Sequence, residues 1–333
     1  MPFEILSWQE VSQTIQPSST ILLGNGASMA VNQRFGYHSL LEYANRNNLL
    51  EQDVHSLFDF FGTSDFELIL RIVWQANNVN ISLDIPDDRT RNAYIAVRDS
   101  LIASVRAIHP ESDDVSENFP AIYQFLKQFN TVVSLNYDLI VYWVMMHGFA
   151  INDQHSFKDC FLGSVFQENW FDYRQPINGD TSSTLVFYPH GSLILARNKI
   201  EEELKITRHY ETDLLNSILN TWQRGEVVPL FVSEGIVKQK VNSINSGYYL
   251  RTVFREVLPS LTNDLVIYGW GAREQDLHIL NSICSSRIER ILVSVYGNDQ
   301  AYCNHICNLI NSRFGDRVHV IFFDSQSEGC WNN

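Results

Sequence analysis

Apolar residues follow two rhythms along this chain, and their alternation predicts a fold. Short apolar runs bounded by turn-forming residues occur at 20–23, 131–135, 184–188, 228–232, 265–268, 290–295 and 318–323. Runs of this length and richness are strands buried on both faces. Between them apolar residues recur every three or four positions. Phe66, Ile69, Leu70, Val73 and Trp74 make one stripe of a helix predicted over 65–79, capped by Thr63 or Ser64. Ile95, Val97, Leu101, Ile102 and Val105 mark a second over 89–109. Helical stretches also read at 246–257 and 275–285, while 139–146 reads as a short buried strand or the first turns of a helix. Strand and helix in repeated alternation predict an α/β, Rossmann-like, mainly parallel sheet with helices on both faces.

The organisation follows from that pattern. One domain is expected over 1–333, with a mainly helical insertion at about 40–125. An irregular or locally helical connection is expected at about 150–183, where Asp153, Asp159, Asn169, Asp172 and Asn178 stand among aromatics. No linker rich in proline, glycine or serine divides the chain, and no internal repeat is seen.

Composition narrows the function classes. Hydrophobic residues make up 45% and charged ones 19%, an ordinary globular balance that excludes a disordered or coiled-coil chain. The net charge of −14 opposes a broad grip on phosphates, so direct nucleic-acid binding is not expected. No apolar run approaches the roughly 20 residues that span a bilayer, and residues 1–15 lack the order of a signal peptide, so a cytoplasmic protein without a membrane partner is expected. Five cysteines fit free thiols. Cys303, His305 and Cys307 raise the question of zinc, but they fall on a predicted helix without a second close cysteine pair, so no metal is expected there.

In open parallel sheets ligands sit outside the carboxyl ends of the strands, and four turns there carry the candidate chemistry. Gly24-Asn25-Gly26-Ala27-Ser28 follows the first run and opens a helix; such a loop cradles a phosphate or is a structural turn. Its departure from the dinucleotide fingerprint is Met29, where the third glycine would stand. Asn136-Tyr137-Asp138 ends the second run. Asn136 can bond a ribose hydroxyl or a water, or simply its own turn, and Asp138 can cap the helix that follows. His190-Gly191 ends the third run at the same rim, where an imidazole can act as a base near neutral pH or play a structural part. His147, His278 and His305 read as packed or surface residues of helices. Gly269-Trp270-Gly271 permits a second close backbone approach, and Asp276 can bond a hydroxyl or cap a helix.

Taken in order, Gly-x-Gly-Ala-Ser, Asn-Tyr-Asp, His-Gly and Tyr-Gly-Trp-Gly with a following Asp resemble the SIR2-like family over about residues 18–324. The nearest likeness is to its zinc-lacking, NAD-hydrolysing effector domains of bacterial anti-phage defence systems. Asp65-Phe66-Glu67 resembles a recurrent acidic-aromatic-acidic feature of those domains. The resemblance implies an NAD glycohydrolase that releases nicotinamide and ADP-ribose, with NAD as substrate and no metal. It implies catalytic roles for Asn136 and His190, and pyrophosphate contacts from Gly24, Asn25, Gly26, Ala27 and Ser28. Asp138 would serve the ribose end, and Gly269, Trp270, Gly271 and Asp276 the second half of the cofactor site. The two cysteine pairs of deacetylating sirtuins are missing, which puts deacetylation in doubt. A chain that destroys NAD must be held in check, which implies a homo-oligomer or a defence-system partner protein; Trp8, Trp74 and Trp143 are either core residues or anchors of such an interface. A non-catalytic module for NAD or ADP-ribose and an ADP-ribosyl transferase are the alternatives.

Overall fold

A computed structural model describes residues 2–36, 39–177, 179–207, 213–232 and 235–333. Its strands, in chain order, are β1 (Ile5–Leu6), β2 (Thr20–Leu23), β3 (Thr131–Ser134), β4 (His155–Lys158), β5 (Phe161–Leu162), β6 (Val165–Phe166), β7 (Ser182–Phe187), β8 (Gly191–Asn198), β9 (Glu203–Lys205), β10 (Val227–Phe231), β11 (Thr262–Tyr268), β12 (Arg287–Val295) and β13 (His319–Asp324). Eight of them form one sheet in the order β1-β13-β12-β11-β2-β3-β7-β4, with every neighbouring pair parallel. The expected α/β, Rossmann-like sheet is present.

Successive side chains of a strand point to opposite faces, and here both faces are covered. Ile21, Leu23, Val132, Val266 and Leu292 enter one core, shared with the long helices Phe66–Ser82 and Asp88–Ile108. Leu22, Val133, Leu265, Ile267 and Val293 enter the other, against the helices Leu277–Ile283 and Gln300–Phe314. Continuous apolar runs are the consequence of that double burial. Trp8, Trp74 and Trp143 are all buried in the first core, so among the two readings of these tryptophans the structure takes packing.

The helical insertion lies between β2 and β3 as Leu40–Arg46, Gln52–Phe61, Phe66–Ser82, Asp88–Ile108 and Phe119–Leu126. Asp65 caps Phe66–Ser82, accepting from Leu68 N–H at 3.2 Å, in place of Thr63 or Ser64; Thr63 instead accepts from Asp65 N–H at 3.1 Å. The ambiguous 139–146 run opens the helix Ile140–Ile151. Cys303 packs inward from Gln300–Phe314, and the five cysteines are unpaired. No described helix is long and apolar enough to cross a membrane.

Two expectations are corrected. β10 leaves the main sheet and joins β8 and β9 in a separate antiparallel sheet of order β10-β8-β9. Gly191, with a φ of 74°, turns the chain sharply between β7 and β8, and a side chain at that position would run into the Leu230 carbonyl of β10. The irregular connection holds β4, which edges the main sheet beside β7. Its buried ends are His155 and Lys158, so it carries no apolar signature. Asn178 lies outside the described residues. β1, only two residues long, forms the other edge against β13.

Chain order makes β2 the centre of the sheet. The chain leaves β2 for β3 on one side and returns to β11 on the other. That reversal is a topological switch point, where the turns on either side diverge and open a crevice at the carboxyl ends.

Candidate functional site

β2, β3 and β11 end level, with Leu23 opposite both Ser134 and Tyr268. The turns after them therefore emerge side by side and wall a cavity of about 1000 Å³, whose other walls come from residues between Phe58 and Ser64 and from Val232, Gly235, Ile236, Gln239 and Lys240. That is the upper end of the range of small-molecule sites, about 300–1,000 Å³. Gly24, Asn25, Gly26, Asn136, Asp138, His190, Gly269, Trp270, Gly271 and Asp276 all line it. Ala27 and Ser28 are buried behind the wall.

The glycines are required by the protein itself. Gly26 N–H donates to Gly269 O at 2.7 Å and Gly24 N–H to Tyr268 O at 2.9 Å, which presses the first turn against the last. A Cβ on Gly26 would lie 2.7 Å from Gly269 O, and Gly269 itself has a φ of 66°. Ala27 N–H is also taken, by Gly24 O at 3.0 Å. Most amides that a phosphate cradle would use are thus committed within the wall. Asn25 turns its amide to Phe35 O at 3.0 Å.

Asn136 is held by the first turn. Its Nδ2 donates to Gly24 O at 3.0 Å and to Ser28 Oγ at 2.8 Å. Ser28 Oγ passes the chain on by donating to Asp138 Oδ2, while Asp138 Oδ1 accepts from Ile140 N–H at 2.9 Å. Both N–H groups of Asn136 are therefore spent on orientation, and Oδ1, an acceptor, is what the side chain has left to offer. Ser28, expected at the pyrophosphate, instead positions Asn136. Asp138, expected at the ribose, ties this chain to the start of Ile140–Ile151. Burial raises the Asp138 carboxyl above its ordinary pKa, against the hydrogen bonds from Ser28 and Ile140.

His190 stands beside Asn136 because β7 pairs with β3. Its Nε2 lies 2.8 Å from Nε2 of His278, with the rings stacked at a centroid distance of 5.0 Å. Asp276 adjoins this pair and is bridged to Lys240, Nζ to Oδ1, at 2.8 Å. Burial holds His190 well below its ordinary 6.5, with Lys240 acting in the same direction and Asp276 against it. The Leu135 backbone is a weaker opposing effect. His278 is likewise lowered by burial, to about 4. Burial pushes Asp276 up, but His190 and Lys240 together hold it below the ordinary carboxylate value. At neutral pH the cluster is two neutral imidazoles beside an ion pair.

Asp276 precedes the helix Leu277–Ile283 without capping it by its side chain; it holds Lys240 instead. His278 and Lys240 are the residues the sequence reading missed. The available signal for His278 was its place two residues after Asp276, past the end of β11. Lys240 offered none, because its helix Val237–Asn245 meets the site only through tertiary packing. Arg273 also lines the cavity and forms no ion pair among the described residues. Asp65 and Glu67 lie outside the lining. Glu67 is buried near Arg71 and Arg197, and burial, with Asp65 adding to it, raises its carboxyl to about 7.

The chain belongs to the family described as a domain of unknown function (DUF4917), which matches residues 21–331 and so takes in every element that walls the cavity. No curated protein matches it.

Proposed function

We propose that this DUF4917 member is an NAD glycohydrolase that cleaves the bond between ribose and nicotinamide, as its resemblance to the SIR2-like NAD-hydrolysing domains implies. The observation that carries this reading is the meeting of the Asn136 acceptor and a neutral His190 on one cavity at the switch point. The cavity also has the size for a dinucleotide, and Arg273, in no ion pair among the described residues, supplies positive charge for its phosphates.

Breaking the C1′–N bond sends its electron pair into the nicotinamide ring and neutralises the ring's charge, so the leaving group needs no acid. Positive charge grows on the ribose as in glycoside hydrolysis. Asn136 Oδ1 holds the attacking water or a ribose hydroxyl. Water forms the new C1′–O bond, and its proton goes to His190 Nε2. The balance is NAD and water to nicotinamide, ADP-ribose and a proton. Positioning and fixed dipoles are the protein's main contribution, which a short set of residues can supply. In a cell such a reaction is gated by self-assembly or by a partner protein of a defence system, where depletion of NAD would be the output.

One feature of the site favours a second reading. The His278 contact occupies the nitrogen that would accept the proton, as suits a non-catalytic module that binds NAD or ADP-ribose. The two are separated by incubating the purified full chain with NAD, alone and with added lysate. Nicotinamide and ADP-ribose in equal amounts are expected. Retention of intact NAD without nicotinamide would select the binding module, and nicotinamide with ADP-ribose attached to a macromolecule would select a transferase.

A further inference from the structure

His190, Asp276 and His278 bring one ligand atom each to within 4.8 Å of one another. The turn between β7 and β8 supplies the first, and the segment after β11 supplies the other two. Two imidazoles and a carboxylate, with the cavity open beside them, match three-residue sites that bind zinc and similar transition metals and keep a free position.

The contact between the imidazoles adds a second observation. Two Nε2 atoms 2.8 Å apart can share only one proton between them. His278 Nδ1 is buried and makes no hydrogen bond of ordinary geometry among the described residues. A cation in place of the shared proton would meet two converging lone pairs and return the ring proton to Nδ1. Lys240 holds Asp276 through Oδ1, which leaves Oδ2 for a ligand bond. Its ammonium orients the carboxylate but repels a cation.

We propose that His190, His278 and Asp276 form a binding site for a divalent transition metal of the zinc class, and that occupancy stops NAD cleavage by taking the Nε2 lone pair of His190. The site itself is independent of the NAD reading; the inhibition rests on it.

The test strips the purified full chain with a chelator and titrates it with Zn²⁺, following binding directly. Co²⁺ is used in parallel, because its spectrum separates nitrogen and oxygen ligands from thiolates and so identifies any binding at the cysteines. One equivalent is expected with a nitrogen and oxygen spectrum. Affinity should fall at least about tenfold in His278→Gln and in Asp276→Asn, and rise in Lys240→Met, with each variant's melting recorded. No uptake, a thiolate spectrum, or equal uptake in wild type and both weakened variants would overturn the site. Zinc-loaded protein should cleave NAD at least about tenfold more slowly, with recovery on chelation, if loss of the base costs what general-base catalysis contributes. Undiminished cleavage with one zinc bound would overturn the inhibition alone. A protein that binds zinc but never cleaves NAD would overturn the NAD reading and the inhibition while the metal site stands.

Discussion

Ser28 never reaches the cavity, yet it sets the geometry of the residue that does. Its hydroxyl accepts from Asn136 and donates to Asp138, all three side chains being buried. Ser28→Ala leaves an amide N–H and a carboxylate oxygen unpaired, which should lower stability by about 1–3 kcal/mol. NAD cleavage should fall with it, even at temperatures where the variant is folded. Thermal unfolding and activity measured side by side check this; wild-type values for both would show that the chain does not hold Asn136. Glu67 gives a second residue-scale expectation. Its carboxyl is raised from 4.5 to about 7 by burial, so the folded protein favours the protonated form. Its contribution is complete below pH 4.5 and is lost as pH rises through about 7. The melting temperature of wild type minus that of Glu67→Gln should therefore decrease across this window. A constant difference would mean that the ion pair with Arg71 and the nearby charge of Arg197 cancel the burial.

At the scale of elements, the helix Ile140–Ile151 is fastened to the helical insertion by one imidazole. His109 ends Asp88–Ile108; its Nδ1 lies 2.8 Å from Pro110 O, and its Nε2 accepts from Leu139 N–H at 3.0 Å. Only the neutral ring serves both bonds, and burial lowers its pKa to about 4. Its contribution is present above pH 6.5 and is lost as pH falls toward about 4. Wild type should lose stability over that interval, and His109→Gln should lack this component. If both proteins show the same pH profile, the ring is not the clamp. A Cβ at Gly26 would press on Gly269 O, so Gly26→Ala should destabilise the protein by about 1–3 kcal/mol without any ligand. A normal melting transition in the apoprotein would return Gly26 to a phosphate role.

The elements also show what a sequence can carry. β2, β3, β7, β11, β12 and β13 were legible because each is an apolar run buried on both faces between turn residues. β4 was hidden by His155 and Lys158, and β1 by its length of two residues. β10 was legible as a strand but not as a member of the second sheet, since an apolar run does not name its partner. Asn136 and His190 stood out because strand ends supply sites. Their support, Ser28 behind one and His278 with Lys240 beside the other, depends on contacts across 88 and more positions of sequence or on helices that carry no local mark of function.

For the whole molecule, the parallel order places the centre of the sheet at β2 and gathers turns from three separate stretches into one cavity. The helical insertion contributes Phe58 and its neighbours to the opposite wall. The same arrangement brings Asn136 and His190 to the wall of one cavity. The central claim is that NAD is cleaved in this cavity by that pair of residues. The measurement that tests it most directly is nicotinamide release by Asn136→Ala and His190→Ala against wild type, at equal folded fraction judged by melting. Wild type should release nicotinamide, and each variant should lose at least about a hundredfold in rate while still folding, the scale of one positioned general base or one fixed dipole. Release at the wild-type rate by either folded variant would contradict the account.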